Sequence, residues 1–287
     1  TYNTRLTGKT TLRLTSAFTG TKVFNRYDTV GRDENLHPNY RDRSHYTKAT
    51  THAQLTHRYS AQGSLLAGVI VSNYWFSFHD STQLASGMSA LRNANASVQT
   101  YQAYTQWHYT PIDRLTVNVG LHATFLSLNR EGVIEPRAGL TYQVTPKATL
   151  SAGIGNYSRW QDWMLYFNEP VGDRQPGRLP NQSLGFSKSR QAVLGWTQRV
   201  GNDWLLKAET YYQHLYDIPI DQNPSPYSAL NEGASFFTTN RTGLINAGTG
   251  RNYGVELTAE KPLSNQYYLL STLSVFDSQY RTLLNQW

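Results

Sequence analysis

The sequence contains no cysteine. That excludes disulfide frameworks and thiolate metal sites, and it leaves the compartment open because many exported bacterial proteins also lack the residue. Long apolar runs are missing too. The longest, Leu65–Val71 (LLAGVIV), falls far short of the roughly 20 residues a membrane-spanning helix needs. A net charge of +7 is modest for 287 residues, and the Lys and Arg are scattered. Binding to nucleic acid would call for a patch or stripe, so no nucleic-acid partner is expected. The opening residues TYNTRL are no signal peptide, and the closing YRTLLNQW reads as a strand or its extension. Both ends are expected to be cuts in a larger protein.

Mean hydropathy is −0.55, as in a water-soluble protein. A transmembrane β-barrel gives a similar value, because each strand carries apolar residues on one face only. What the chain has in surplus is Tyr, 20 of them beside 7 Trp and 10 Phe. Amphipathic rings favour a boundary between apolar and wet surroundings. Such a surplus suits the aromatic girdles of a barrel, and it also suits soluble β-rich proteins.

The dominant pattern is period-two alternation. Leu115, Val117, Val119, Leu121, Ala123 and Phe125 fall on one face, against Thr116, Asn118, Gly120, His122 and Thr124. The same holds around Ile134–Val144, Ala148–Ile154, Trp204–Tyr212 and Tyr253–Ala259, and more weakly around residues 12–18, 53–59, 101–107 and 192–196. Two further segments, Leu65–Phe78 and Tyr267–Phe276, read as strands with no clear apolar face. About eleven strands are therefore expected, each longer than the five or six residues usual in globular proteins.

Read from the sequence, short and long connections alternate. Short links centre on Thr7–Lys9, Ser60–Gly63, Thr110–Asp113, Val144–Lys147, Val200–Asp203 and Leu263–Gln266. Long ones read as Asp28–Ser44, Ser81–Ala96, Trp160–Phe186 and Pro219–Gly248, with Asn129–Gly132 as a short exception. Tight turns at one end and long loops at the other are the pattern of outer-membrane barrels. The expected fold is all-β: an antiparallel up-and-down transmembrane barrel, incomplete here. Its apolar face would meet lipid, with Tyr109, Tyr142, Trp196, Trp204 and Tyr267 near the short turns as an aromatic girdle. Its polar face would line a wet lumen, with Glu135, Arg137, Lys207, Glu209, Glu256 and Glu260 as charged wall residues.

Several segments, in order, resemble a known family. They include Leu115–Phe125, IEPRAGLTY at 134–142, ATLSAG at 148–153, GRLPN at 177–181, DWLLKAE at 203–209, YDIP at 216–219 and GTGRNYGVEL at 248–257. Together they resemble the barrel of TonB-dependent outer-membrane receptors of the Bacteroidetes type, those with a carboxypeptidase-regulatory-like N-terminal domain. The resemblance implies a 22-stranded barrel in a Gram-negative outer membrane, closed by an N-terminal plug and driven through TonB. Residues 1–287 would all belong to the barrel, with plug, TonB box and closing strands outside this stretch. The cargo could be a small molecule, a peptide or a glycan.

No HExxH, GxSxG or P-loop occurs, and Gly248–Gly254 opens a strand with the wrong spacing for a dinucleotide fingerprint. No enzymatic activity, cofactor or metal site is expected. His108 and His122 could both face the lumen, without a third ligand. The binding candidates are Trp160, Trp163, Tyr166 and Phe167 in the loop WQDWMLYF, with Trp163 and Tyr166 first among them for substrate contact. Loop aromatics on a rigid scaffold often bind ligands, and packing onto the barrel rim is the competing reading. A passive porin and a soluble carbohydrate-binding β-domain remain the alternatives to a TonB-dependent importer.

Overall fold

A computed structural model describes all residues except 171–176, 202, 233–238 and 265–266. Twelve strands form one antiparallel sheet in simple chain order. They are β1 (Tyr2–Thr7), β2 (Thr10–Val30), β3 (Leu36–Arg58), β4 (Gly63–Leu84), β5 (Gly87–Ile112), β6 (Leu115–Leu126), β7 (Glu131–Thr145), β8 (Ala148–Arg159), β9 (Ser187–Val200), β10 (Trp204–Asp221), β11 (Leu244–Ser264) and β12 (Tyr267–Arg281). A four-residue helix, α1 (Trp163–Tyr166), and a 3-10 turn at Ala229–Asn231 sit in the two long connections. No described helix is long and apolar enough to cross a membrane.

The sequence misses one strand and misjudges two loops. The extra strand is β1: in YNTRLT only Tyr2 and Leu6 are apolar, too few to show an alternation. Residues 28–44 and 81–96, expected as long loops, are mostly strand. They pair as the long hairpins β2–β3 and β4–β5, closed at residues 31–35 and 85–86. These stretches are polar because they rise beyond the roughly 9–11 residues a strand needs to cross a bilayer. The short-versus-long parity is accordingly weaker than expected, and only the links after β8 and β10 are long on that side. Parts of both long links, and of the short turns at 202 and 265–266, lie outside the described residues.

Direct cross-strand partners share a face. This joins Leu150, Trp196, Ala208, Leu257 and Leu273 into one row across β8–β12. Ala152, Leu194, Thr210, Val255 and Val275 form the next. These rows are open: Leu194, Val255 and Leu257 are 49%, 47% and 46% exposed. An apolar face of this extent is not stable against water and marks a contact with lipid or protein.

The buried core lies on the opposite face, near the ends of the strands remote from the short turns. Tyr74, Phe76 and Phe78 of β4 meet Val98, Leu126 and Val133 there, together with Leu165, Tyr166, Phe167, Leu184 and Phe186 from the β8–β9 connection. That explains the unclear faces of Leu65–Phe78. Its odd residues, including Leu65, Val69 and Trp75, point outward, and its even residues Tyr74, Phe76 and Phe78 are core. In β12, Leu273 and Val275 lie outward with Leu257 and Val255, whereas Leu270 and Phe276 are exposed on the inner face.

Candidate functional site: the rim above the inner wall

The β8–β9 connection folds back onto the inner wall. Asp162 caps α1 by accepting from the Met164 amide at 2.8 Å, which starts the turn that aims Trp163 at β4. The Trp163 ring lies 4.8 Å from Tyr74 and 5.1 Å from Phe76, centroid to centroid. Phe167 lies 5.9 Å from Phe76 and 5.8 Å from Phe78. Tyr166 is fully buried, and its hydroxyl accepts from the Gln161 amide at 3.1 Å. Burial raises the pKa of that phenol, holding it neutral.

Buried polar groups fix the rest of the loop. Arg92 pairs with Asp80 inside the wall, and its Nη1 donates to Asn168 Oδ1 at 2.7 Å. The Asn168 amide donates in turn to the Thr239 and Arg241 carbonyls at 2.7 and 3.0 Å. Asn181 donates to the Leu165 and Arg241 carbonyls and accepts from the Leu244 amide. Both long connections thus share one buried network, in which each amide replaces a ladder partner the irregular backbone lacks.

Of the four aromatic binding candidates, Tyr166 and Phe167 are enclosed in the core, at 0% and 2% exposure. Trp163 is partly covered and packs against that core. Trp160 lines a cleft of about 600 Å3 with Arg159, Asp162, Lys188, Leu230 and Glu232. Its members Arg159, Lys188 and Glu232 were not singled out from sequence, because β8, β9 and the β10–β11 connection meet only after the chain folds.

The six expected wall charges all fall on the inner face, in two different settings. Lys207, Glu209, Glu256 and Glu260 lie on the wall of β10 and β11, where Lys207 and Glu260 form an open ion pair at 3.6 Å. Glu135 is instead buried, at 3% exposure. The β7–β8 ladder stops at Arg137–Gly155, and above it β8 pairs only with β9. Glu135 fills that split. One of its oxygens accepts from both the Ser158 amide and the Ser158 hydroxyl. The other meets His122 Nδ1 at 2.5 Å and Arg137 at 2.9 Å. His108 hydrogen-bonds Asn118, away from His122. Among the described residues no three His, Cys, Asp or Glu come together as a metal site.

The expected girdle residues Tyr109, Tyr142, Trp196, Trp204 and Tyr267 share the outward face near the short turns. Trp204 and Tyr212 are eight residues apart on β10, roughly 27 Å along the strand. With a tilt of roughly 40° this is about 20 Å of height, close to the apolar band of about 25 Å on an outer-membrane barrel.

A family model described as "TonB dependent receptor-like, beta-barrel" matches residues 1–285. The chain belongs to the TonB-dependent receptor family. Its sheet is a stretch of the receptor barrel, placed in the outer membrane of a Gram-negative bacterium, and the family is not enzymatic. Among solved structures the receptor barrel is similar to the outer membrane transporter YddB from Escherichia coli, at 13% identity and a TM-score of 0.67, covering 97% of this chain and 41% of that one. It is similar to the ferric yersiniabactin uptake receptor FyuA from Yersinia pestis, at 14% identity and a TM-score of 0.69, covering 96% and 41%. The FrpB iron transporter from Neisseria meningitidis follows at 13% and 0.65, covering 97% and 43%. At such identities the likeness is one of fold. The chain spans less than half the length of these three receptors. No curated protein matches the sequence.

Proposed function

We propose that this barrel stretch serves TonB-dependent import of a scarce substrate across the outer membrane. The observation that carries the reading is the family match over residues 1–285, on a sheet whose outer face suits lipid and whose rim holds a loop folded inward. The complete receptor has an N-terminal plug within the barrel, reaches TonB through that part and captures cargo at the extracellular rim. The outward rings form the periplasmic-side girdle, and the Lys207–Glu260 wall lines the wet lumen. Residues 1–287 are wall and loops throughout.

Cargo contact centres on the cleft beside Trp160, with Trp163 as a supporting ring and with Tyr166 and Phe167 holding the loop in place. The cleft mixes an aromatic ring with charges of both signs, which suits a small polar molecule, a peptide or a glycan. The ordered blocks from Leu115 to Leu257 further support the Bacteroidetes type with its carboxypeptidase-regulatory-like domain.

The test is uptake by the full-length receptor in cells with and without TonB, offered labelled ferric siderophores, cobalamin, oligosaccharides and peptides. TonB-dependent accumulation of one class is expected. Leakage of all small solutes regardless of TonB would establish the porin reading instead.

A further inference from the structure

The cleft beside Trp160 holds one cation and one carboxylate that the described chain leaves without an opposite charge. Four charged side chains line it: Arg159, Asp162, Lys188 and Glu232. Two of them are committed. Lys188 pairs with Asp217 at 2.9 Å, and Asp162 caps α1. Arg159 and Glu232 are both exposed. The Arg159 side chain has no ion pair or hydrogen bond among the described residues. Glu232 accepts from the Tyr227 hydroxyl at 2.8 Å through one oxygen, and no described cation pairs with it. Arg241, which stacks on the same Tyr227 ring, is paired with Asp221 at 2.8 Å.

The two charges come from opposite sides of the cleft. Arg159 ends β8, directly opposite Ser187 of β9. Glu232 follows the 3-10 turn. That turn lies over β10 and β11, where Ser228 bridges to Ile220 and Leu230 lies against Gly250. Two to three strand spacings separate these places, roughly 10–14 Å. The rest of the lining includes the Trp160 ring and the apolar side chains of Leu215 and Leu230.

A zwitterion with an apolar middle answers this arrangement. An extended peptide spans at most about 11 Å with three residues and about 14 Å with four, and it carries an ammonium at one end and a carboxylate at the other. The guanidinium fork receives a carboxylate through two parallel bonds, and the free oxygen of Glu232 accepts from an ammonium. A neutral glycan would strip water from both charges and satisfy neither. An anionic complex would meet Glu232 as a like charge. We infer that the cleft takes peptides of three or four residues with both termini free, the carboxylate on Arg159 and the ammonium on Glu232. The inference rests on the cleft being the cargo site, and it names the class of cargo.

The experiment uses the full-length purified receptor, without TonB, in equilibrium dialysis against mixed tripeptides and tetrapeptides. Three versions of the mixture are compared: free termini, N-acetylated and C-amidated. Bound peptide is counted by mass spectrometry. The wild type should retain the free form, and each cap should weaken retention by about tenfold, the scale of one charge-assisted bond in a wet cleft. Arg159→Gln should abolish the preference for a free carboxylate and keep the preference for a free amine. Glu232→Gln should do the converse. Misfolding cannot produce this crossed pattern, because it lowers retention of all three versions together. A wild type indifferent to both caps, or either variant erasing both preferences equally, would overturn the assignment. Uptake in cells with and without TonB separates this from the import reading. TonB-dependent import of a non-peptide cargo alone would overturn the peptide assignment and leave import standing. Peptide retention without TonB-dependent uptake would count against import alone.

Discussion

Arg92 on β5 and Asn168 in the β8–β9 connection meet 76 residues apart in sequence, the guanidinium donating to the amide oxygen at 2.7 Å. The same guanidinium neutralises Asp80, which is completely buried with it. Breaking one side of such a pair strands a charge, and this typically costs about 3–5 kcal/mol. Arg92→Met in the full-length receptor should lower unfolding stability by that order. Limited proteolysis should cut within residues 160–186 sooner than in wild type. An unchanged cleavage rate would mean that the loop is held without Arg92.

The aromatic side of the same attachment is separable. Phe76 touches Trp163 and Phe167 at once, so Phe76→Ala should cost about 3–5 kcal/mol. The Trp163 emission should shift to the red as the ring becomes wet, provided the other tryptophans are replaced by Phe. Leu194→Ala on the lipid face should leave this signal unaltered.

Glu135 bridges the split between β7 and β8. Glu135→Gln keeps the shape but loses the charge that binds Arg137 and the Ser158 donors, and charge-assisted bonds contribute about 1.5–3 kcal/mol each. A loss near the lower end of that range is expected for Gln, and a larger one for Ala. Hydrogen exchange should quicken at the Ser158 amide and stay slow at Gly153, below the split.

Trp160 and Tyr166 differ in access. Trp160→Ala should weaken cargo capture, raising the half-saturating concentration for uptake at least about fivefold, as expected when a stacked aromatic contact of roughly 1 kcal/mol is lost. Tyr166→Phe removes one hydroxyl contact, costs about 1 kcal/mol of stability and should leave that concentration unchanged. The opposite result would place the binding surface inside the core.

The fold was readable where one face of a strand is apolar and the other polar. Leu115–Phe125 and Trp204–Tyr212 show this cleanly, because lipid on one side and water on the other impose opposite demands at alternate residues. Legibility failed where that contrast disappears. Residues 28–44 and 81–96 rise above the membrane, where both faces are polar. Tyr74–Phe78 is apolar on both faces, one for lipid and one for the folded loop. At the rim, the aromatic run WQDWMLYF drew attention as a binding loop. Burial then divides it, with Trp160 in the cleft and Tyr166 and Phe167 in the core. The role of Glu135 as a bridge across a split ladder left no trace in the sequence, since a charge at an inward position looks the same whether wet or buried.

The central claim is that one face of this sheet meets lipid and the other does not. The stretch contains no cysteine, so spin labels placed at Leu194 and Val255 outward, and at Val193 and Glu256 inward, add no background within it. In membranes, relaxation at Leu194 and Val255 should respond strongly to oxygen and weakly to a water-soluble nickel chelate. Val193 and Glu256 should not show the oxygen response. The same response at all four sites, or the reverse parity, would contradict the account.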